Sequence, residues 1–376
     1  MLRMFFAALV VCSFSKAATQ TEVPIHNESL RNELSRAIDR GTDWLSKNQK
    51  PEGYWSTTDQ PAVTSLSLVA LNPQKELNNP KFAENFKKGF DFLSNYIQPD
   101  GSIFNKEKGN ANYNTSLALL AFTGRGLPSD KTVILNARRY LIGTQVDMGE
   151  TNRIDTPFDG GIGYGSRYKH SDLNNTLTAL EALYASRSYA ADAPNQPKLN
   201  FEAARAFIAS CQNAPAFNKQ EWVSNDPKDN GGFVYYPGNS MAGGVTNASG
   251  RVALRSYGSI SYAGLLSYIY ADMDKNDPRV KAVVKWLDEN YTLDENPGMG
   301  PQGLFYYFHT MTKALTLAHI DTIGGKPWRE PLALKLLNLQ KDDGSWQNEN
   351  NRWWEKDQPL VTSYCVIALR LIHSGI

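Results

Sequence analysis

Cysteine is scarce, with three residues in 376, at positions 12, 211 and 365. No pair has metal-site spacing, so the sequence asks for no metal and no cofactor. Charge of one sign is also lacking: 39 Lys and Arg face 38 Asp and Glu, a net charge of +1. That balance excludes a nucleic-acid binder, which needs a basic face to displace counterions. It equally excludes an acidic disordered chain. Past the first twenty residues no apolar run approaches the ~20 residues needed to cross a bilayer. What remains, 41% hydrophobic and 20% charged, is a folded globular chain.

The first residues stand apart. Arg3 precedes a mostly apolar run from Met4 to Phe14, and Ser15-Lys16-Ala17 follows as a small-x-small site. This pattern reads as a secretory leader over 1–17, cleaved after Ala17, and predicts export to the periplasm or beyond. An N-terminal anchor would need a longer run. Val11 beside Cys12 is bulky for lipoprotein cleavage. With the leader gone, the chain is not expected to be an integral membrane protein. Cys211 and Cys365 could then pair oxidatively or serve as small buried apolar residues. The second reading is preferred, because Cys365 falls mid-helix and Cys211 ends a different helix.

The dominant feature is internal repetition. An amphipathic helix ends near Gln, a Gly/aromatic turn follows, and a second helix opens at Thr or Ser. The first copy holds Gln49, Gly53-Tyr54-Trp55 and Thr64 to Leu71. The second holds Gln98, Asp100-Gly101-Ser102 and Thr115 to Phe122, and the third Gln145, Asp159-Gly160-Gly161 and Thr176 to Leu180. The fourth holds Gln212, Gly231-Gly232-Phe233 and Ser259 to Leu266. The fifth holds Asn290, Gln302-Gly303-Leu304 and Thr310 to Leu317, and the sixth Gln340, Asp343-Gly344-Ser345-Trp346 and Thr362 to Leu369. Copies three to five have the longer turns.

Leu30, Leu34, Ile38 and Leu45 share a helical face, as do Val280, Val283, Val284 and Leu287. The first helix of each copy is charged on the other side and reads as outer. The second is apolar nearly all round and reads as buried. The opening Thr and Ser are expected to cap free N–H groups. One hairpin cannot bury its inner helix, but six arranged in a ring can. The predicted fold is therefore all-α: an α/α toroid (α6/α6 barrel) of six helical hairpins. After an N-terminal segment over 18–29, it forms a single domain over 30–372. Strand signals are weak, with Phe233-Val234-Tyr235-Tyr236 as the best candidate.

The Gln…Gly-Tyr-Trp of copy one, Gln98…Asp100-Gly101-Ser102, and Gln340-Lys341-Asp342-Asp343-Gly344-Ser345-Trp346 resemble the repeats of the terpenoid cyclase and protein prenyltransferase superfamily (squalene-cyclase-like repeats). The resemblance spans nearly the whole chain after the leader. It implies that the Gln and Trp of each repeat tie the outer helix to the next inner one. It also implies chemistry that can be checked. The stretch matching the protonating Asp-x-Asp-Asp-Thr of squalene-type cyclases is Asp172-Leu173-Asn174-Asn175-Thr176. Amides at both later positions cannot donate a proton with carboxylic strength. His309 in Phe305-Tyr306-Tyr307-Phe308-His309-Thr310 matches the zinc His of prenyltransferases, but the Asp-x-Cys expected near Ser256-Tyr257-Gly258-Ser259 is missing. The Cys-Gly-Glu-Gln of complement-like thioester domains is absent too.

Candidate site residues gather where the inner helices begin. The residues preceding the opening Thr or Ser are Val63, Asn114, Asn175, Gly258, His309 and Val361. In a ring they would surround one mouth, on which helix N-termini converge. His309 is the candidate general base, with Asn175 and Tyr257 beside it as catalytic candidates. Asn114, Asn174, Tyr164, Tyr262 and Tyr306 are the candidate ligand-binding residues. Asp155, Asp159 and Asp172 are further acids near the turns. The long segments 217–256 and 296–303 read as binding loops or lids. Three functions fit: a toroid binding an apolar or amphipathic ligand such as an isoprenoid; an enzyme of another toroid branch, terpenoid-modifying or a polysaccharide lyase or hydrolase, using His309; or an interaction platform. The first is preferred, with a small apolar or sugar-like molecule as partner.

Overall fold

A computed structural model describes residues 25–376 apart from 166–169, 192 and 247. The expected leader and cleavage site, and most of the 18–29 segment, lie outside the described residues. Six outer helices alternate with six inner ones. The outer set is α1 (Ile25–Asn48), α4 (Ala83–Ser94), α6 (Lys131–Gly143), α9 (Phe201–Ser210), α11 (Pro278–Glu289) and α13 (Arg329–Leu339). The inner set is α2 (Pro61–Leu71), α5 (Ala111–Arg125), α7 (Leu173–Ala185), α10 (Gly258–Tyr270), α12 (Leu304–Leu317) and α14 (Gln358–His373). Two short helices, α3 (Pro73–Glu76) and α8 (Arg187–Ala191), sit in connections. Each inner helix packs on the next in order, α14 packs back on α2, and α1 lies against α14. The ring is closed, and the fold is the α/α toroid. Among the described residues, strands amount to two small antiparallel pairs, Gly244–Thr246 with Val252–Leu254 and Thr322–Ile323 with Lys326–Pro327. Phe233 and Tyr236 make only isolated bridges, and the Phe233 N–H is taken by Ser261 Oγ at 3.0 Å.

The burial pattern follows from composition. On α11 only Val280, Val283, Trp286 and Leu287 are buried, whereas on α10 nearly every residue is. Cys211 and Cys365 are buried, unpaired thiols, as preferred from their helical positions.

The repeat motif works differently from the expectation. In four copies the opening Thr hydroxyl does not cap its own helix; it accepts an N–H group from the turn before. Trp55 N–H donates to Thr64 Oγ1 (3.1 Å), Ile103 to Thr115 (2.8 Å), Ile162 to Thr176 (2.9 Å) and Trp346 to Thr362 (3.1 Å). The Gln joins an outer helix to the next inner one in copy four, where Gln212 Oε1 accepts the Tyr268 hydroxyl of α10 at 2.9 Å; its recurrent bonds run elsewhere. Gln49 Nε2 donates to Gly53 O in its own turn and to Asn85 O on the next outer helix, at 2.8 and 3.0 Å. Gln212 repeats this on Gly231 O and Arg279 O, both at 2.9 Å. Gln340 closes the circle on Gly344 O and Ala37 O of α1, both at 2.9 Å. The Trp points backward: the Trp55 and Trp346 indoles donate to Leu45 O and Leu336 O of their own outer helices, both at 2.8 Å. Copies two and five depart. Gln98 bonds only within its own turn, and Asn290 folds back on Trp286 O.

The turn glycine completes the joint. Gly344 has φ +95°, and a Cβ there would sit 2.7 Å from Arg40 O. Gly53, at φ +96°, would be 2.2 Å from Lys88 O. A left-handed backbone pressed on the next outer helix leaves room for glycine alone.

Because Trp346 is fully buried at the closing joint, Trp346→Ala should destabilise the fold by about 3–5 kcal/mol. Denaturant melts check this. A loss under ~1 kcal/mol would show that closure does not depend on it.

Candidate functional site

A cavity of about 420 Å³ opens at the end of the ring where the inner helices begin. Its size lies within the range of small-molecule sites. Tyr113, Tyr164, Tyr235, Tyr257, Tyr306 and Tyr364 line it, with Trp353 and Trp354. Ala62, Val63, Ile260, Leu360 and Met241 supply apolar surface, and Gln60, Asn110, Asn174, Ser259 and Glu355 supply polar groups. The long turns of copies three and four contribute Tyr164, Tyr235 and Met241. The 296–303 segment reaches the rim through Gly303, which lies under the Trp353 ring.

Of the residues singled out from sequence, Tyr164, Asn174, Tyr257 and Tyr306 line the cavity. Asn114, Asn175, Tyr262 and His309 do not. The register explains much of this. The lining residues Ala62, Tyr113, Asn174, Tyr257 and Leu360 stand near Val63, Asn114, Asn175, Gly258 and Val361, each one position earlier. Successive residues on an α-helix are 100° apart, so a one-position shift turns most of these side chains away from the hollow. Of the expected set, only Val63 also reaches the hollow. On α12 the lining residue is Tyr306, three positions before His309.

The displaced polar residues have structural work. Asn114 Oδ1 accepts the Ala62 N–H at 2.8 Å, capping the neighbouring inner helix. Asn175 donates through Nδ2 to Asp172 Oδ2 at 2.7 Å. Tyr262 is buried against the Tyr307 ring, centroids 5.6 Å apart. His309 is buried against Tyr364, with ring centroids 4.8 Å apart and Nδ1 3.4 Å from Tyr364 O. Burial and nearby Lys313 hold its pKa well below the ordinary value, so the imidazole is neutral and one layer behind the cavity wall. Asp159 accepts N–H groups from Met148, Asp155 and Thr156 and shapes its turn. Among the described residues no three His, Cys, Asp or Glu side chains assemble into a metal-binding group.

Two buried carboxyls belong to this end of the ring. Asp172 caps α7 by accepting the Asn175 N–H at 2.9 Å, and burial pushes its pKa up to about 6. Glu355 was not singled out from sequence. It reaches from the last repeat to the start of α12, where Oε1 accepts the Tyr306 N–H at 2.7 Å and Oε2 accepts Asn348 Nδ2 at 2.6 Å. Burial is the largest influence on it and raises its pKa to about 7 despite those donors. The only hint in sequence is negative: Gly303, the residue before α12, has no side chain with which to cap it.

Two hydroxyl bonds join lining residues. The Tyr235 hydroxyl donates to the Tyr164 hydroxyl at 3.3 Å, and the Tyr306 hydroxyl donates to Asn174 Oδ1. Burial raises Tyr113 to about 12 and moves Tyr257 and Tyr306 upward too. On the rim, Trp353 and Trp354 both adopt left-handed backbone, φ 53° and 65°. Such a conformation costs a non-glycine residue roughly 1–2 kcal/mol.

Comparison with known proteins identifies the fold alone. No family model matches the chain, and no curated protein does. Among solved structures, the type II terpene cyclase MstE from Scytonema, in complex with its product merosterolic acid A, is similar over 93% of this chain and 99% of its own, at 13% identity and TM-score 0.52. A D-mannose isomerase is similar over 96% of this chain and all of its own, at 14% identity and TM-score 0.57.

The raised carboxyls make stability depend on pH. Glu355 at about 7 and Asp172 at about 6 bind more protons in the native state than in the unfolded chain, where they titrate near pH ~4. Their contribution is complete below about pH 4 and is lost as pH rises through 6 and 7. His309, depressed by burial, works in the opposite sense, so a matched variant is needed. Glu355→Gln should gain on the wild type by about 2–4 kcal/mol between pH 4 and pH 8, read by parallel denaturant melts. A relative loss with rising pH would contradict burial as the controlling influence.

Proposed function

We propose that the protein is a binding toroid for an uncharged, amphipathic small molecule held in this cavity. One observation carries the reading: aromatic rings, hydroxyls and amides line the hollow, and no Lys or Arg among the described residues does. A phosphorylated or carboxylated ligand would meet the Glu355 carboxyl in the wall, while the rim cation Arg352 is engaged with the Trp353 ring and Met241. A cationic ligand would meet the positive ends of the inner helices, all of which begin here. A neutral molecule with an apolar face and hydroxyl groups suits both constraints. The similar solved structures act on a terpenoid and on a sugar, and the shared fold does not choose between them. The leader pattern over 1–17 supports export as the setting.

A second reading, acid–base chemistry in the same hollow, is favoured by Glu355. It is 1% exposed, lines the cavity and has a pKa near 7, which suits a general acid at neutral pH. In that reading Glu355, rather than His309, is the residue that exchanges the proton.

Matched pairs test the binding reading: methyl glucopyranoside against glucose 6-phosphate, and geraniol against geranyl diphosphate, each by calorimetry on the purified chain. At least one neutral member should bind at least about tenfold tighter than its anionic partner, roughly 1.4 kcal/mol. It should also slow hydrogen exchange at 110–114 and 257–260. Tighter binding of the anionic members, or no binding by any of the four, would sink the proposal.

A further inference from the structure

Trp353 and Trp354 are unusual in three independent respects. They are consecutive bulky residues in left-handed backbone, Trp353 at φ 53°, ψ 35° and Trp354 at φ 65°. A non-glycine residue there is uncommon, and a bulky one is an outlier. They are also exposed, 39% and 49%, so they do not repay the strain as core. Finally, both line the mouth of the cavity.

The neighbourhood holds them in place. Asn348 Oδ1 accepts the Asn350 N–H and Asn350 Oδ1 accepts the Arg352 N–H, both at 2.9 Å, so the approach to the pair is braced by side chains. The Asp357 N–H donates to Trp354 O at 2.7 Å on the far side. Trp353 rests on Gly303, where a Cβ would come within 2.8 Å of the indole. Arg352 lies 5.2 Å from the Trp353 ring centroid and reaches toward Met241 on the opposite wall. Strain that the surroundings impose on exposed residues at a pocket mouth points to use by a ligand.

We infer that Trp353 and Trp354 form a stacking platform for the flat face of a pyranoside, whose hydroxyls are met by Gln60, Asn110, Asn174 and Ser259. This deepens the neutral-ligand reading and rests on it. The C–H groups on one face of a pyranose carry slight positive charge, and an indole face is negative. The hydroxyls around the ring need the amide and hydroxyl partners that this cavity concentrates. Gln60, Asn174 and Ser259 each accept one bond within the protein, and a purely hydrocarbon ligand would dehydrate their remaining hydrogen-bonding capacity without replacing the lost water.

Titration of the full chain with methyl β-D-glucopyranoside, methyl α-D-mannopyranoside and maltose, with geraniol as the non-sugar control, tests this through tryptophan emission and acrylamide quenching. At least one sugar should saturate the signal and shield tryptophan from acrylamide. Trp354→Ala should weaken that sugar tenfold or more, and Trp354→Phe should retain most of the affinity. Trp354→Gly, which relaxes the left-handed backbone, should weaken binding while leaving the melting temperature unchanged or higher. A structural role would lower it. Saturation by geraniol but by no sugar, up to roughly 100 mM, would overturn the sugar class and leave the neutral-ligand reading standing. Silence from all four would overturn both. Unchanged sugar affinity in Trp354→Ala and Trp353→Ala would overturn the platform.

Discussion

Every inner helix begins at the cavity end of the ring, and its first N–H groups have no partner within the helix. An unpaired buried donor costs about 1–3 kcal/mol, so the start of nearly every inner helix has recruited a partner. Two helices use their own N-cap: Asp172 for α7 and Asp357 for α14. Three borrow from the following repeat: Asn114 caps α2, Asn296 accepts the Ser259 N–H of α10, and Glu355 caps α12. This demand decides which polar side chains remain for a ligand. The cavity is left mainly to tyrosines, tryptophans and a few amides, and its chemistry is what the caps did not consume.

Borrowed caps also make the ring cooperative. An inner helix whose cap comes from the next repeat is not complete until that repeat has docked. The Gln and Gly joints act in the same direction among the outer helices, and the last of them, Gln340 and Gly344, return to Ala37 and Arg40 of α1. No copy is an independent hairpin. The fifth copy, which lacks the Gln, is the one whose inner helix depends on Glu355.

The fold was legible because its signals are local and repeated: apolar all round for inner helices, one-sided for outer ones, Gly in each turn. The bonding roles of Gln and Thr were not, since a side chain's partner across a joint leaves no periodic trace. The candidate site was legible to about one helical residue. Tyr257 and Asn174 were identified, but Asn114 and Asn175 were expected beside them because polarity at a helix start was read as exposure to the hollow. Polarity there marks the caps, while the hollow takes the neighbouring position. Glu355 could not have been found by pattern, because the helix it caps lies about fifty residues earlier in the chain.

The toroid has a lumen, yet the site is a cup. Tyr306 of α12 bonds Asn174 of α7, and Lys313 of α12 pairs with Glu181 of α7. Each step is seven residues, two helical turns or about 10 Å, so the two contacts form parallel rungs between helices that α10 separates. The upper rung belongs to the large cavity, whereas Glu181 lines a smaller hollow of about 180 Å³ at the other end. A ligand in the large cavity is therefore served from the end that the long turns surround. There the strained tryptophans and the carboxyl of Glu355 follow one another in the chain, because the segment that caps α12 is the same one that forms the rim. Capping the helix and presenting the rings are two consequences of a single placement.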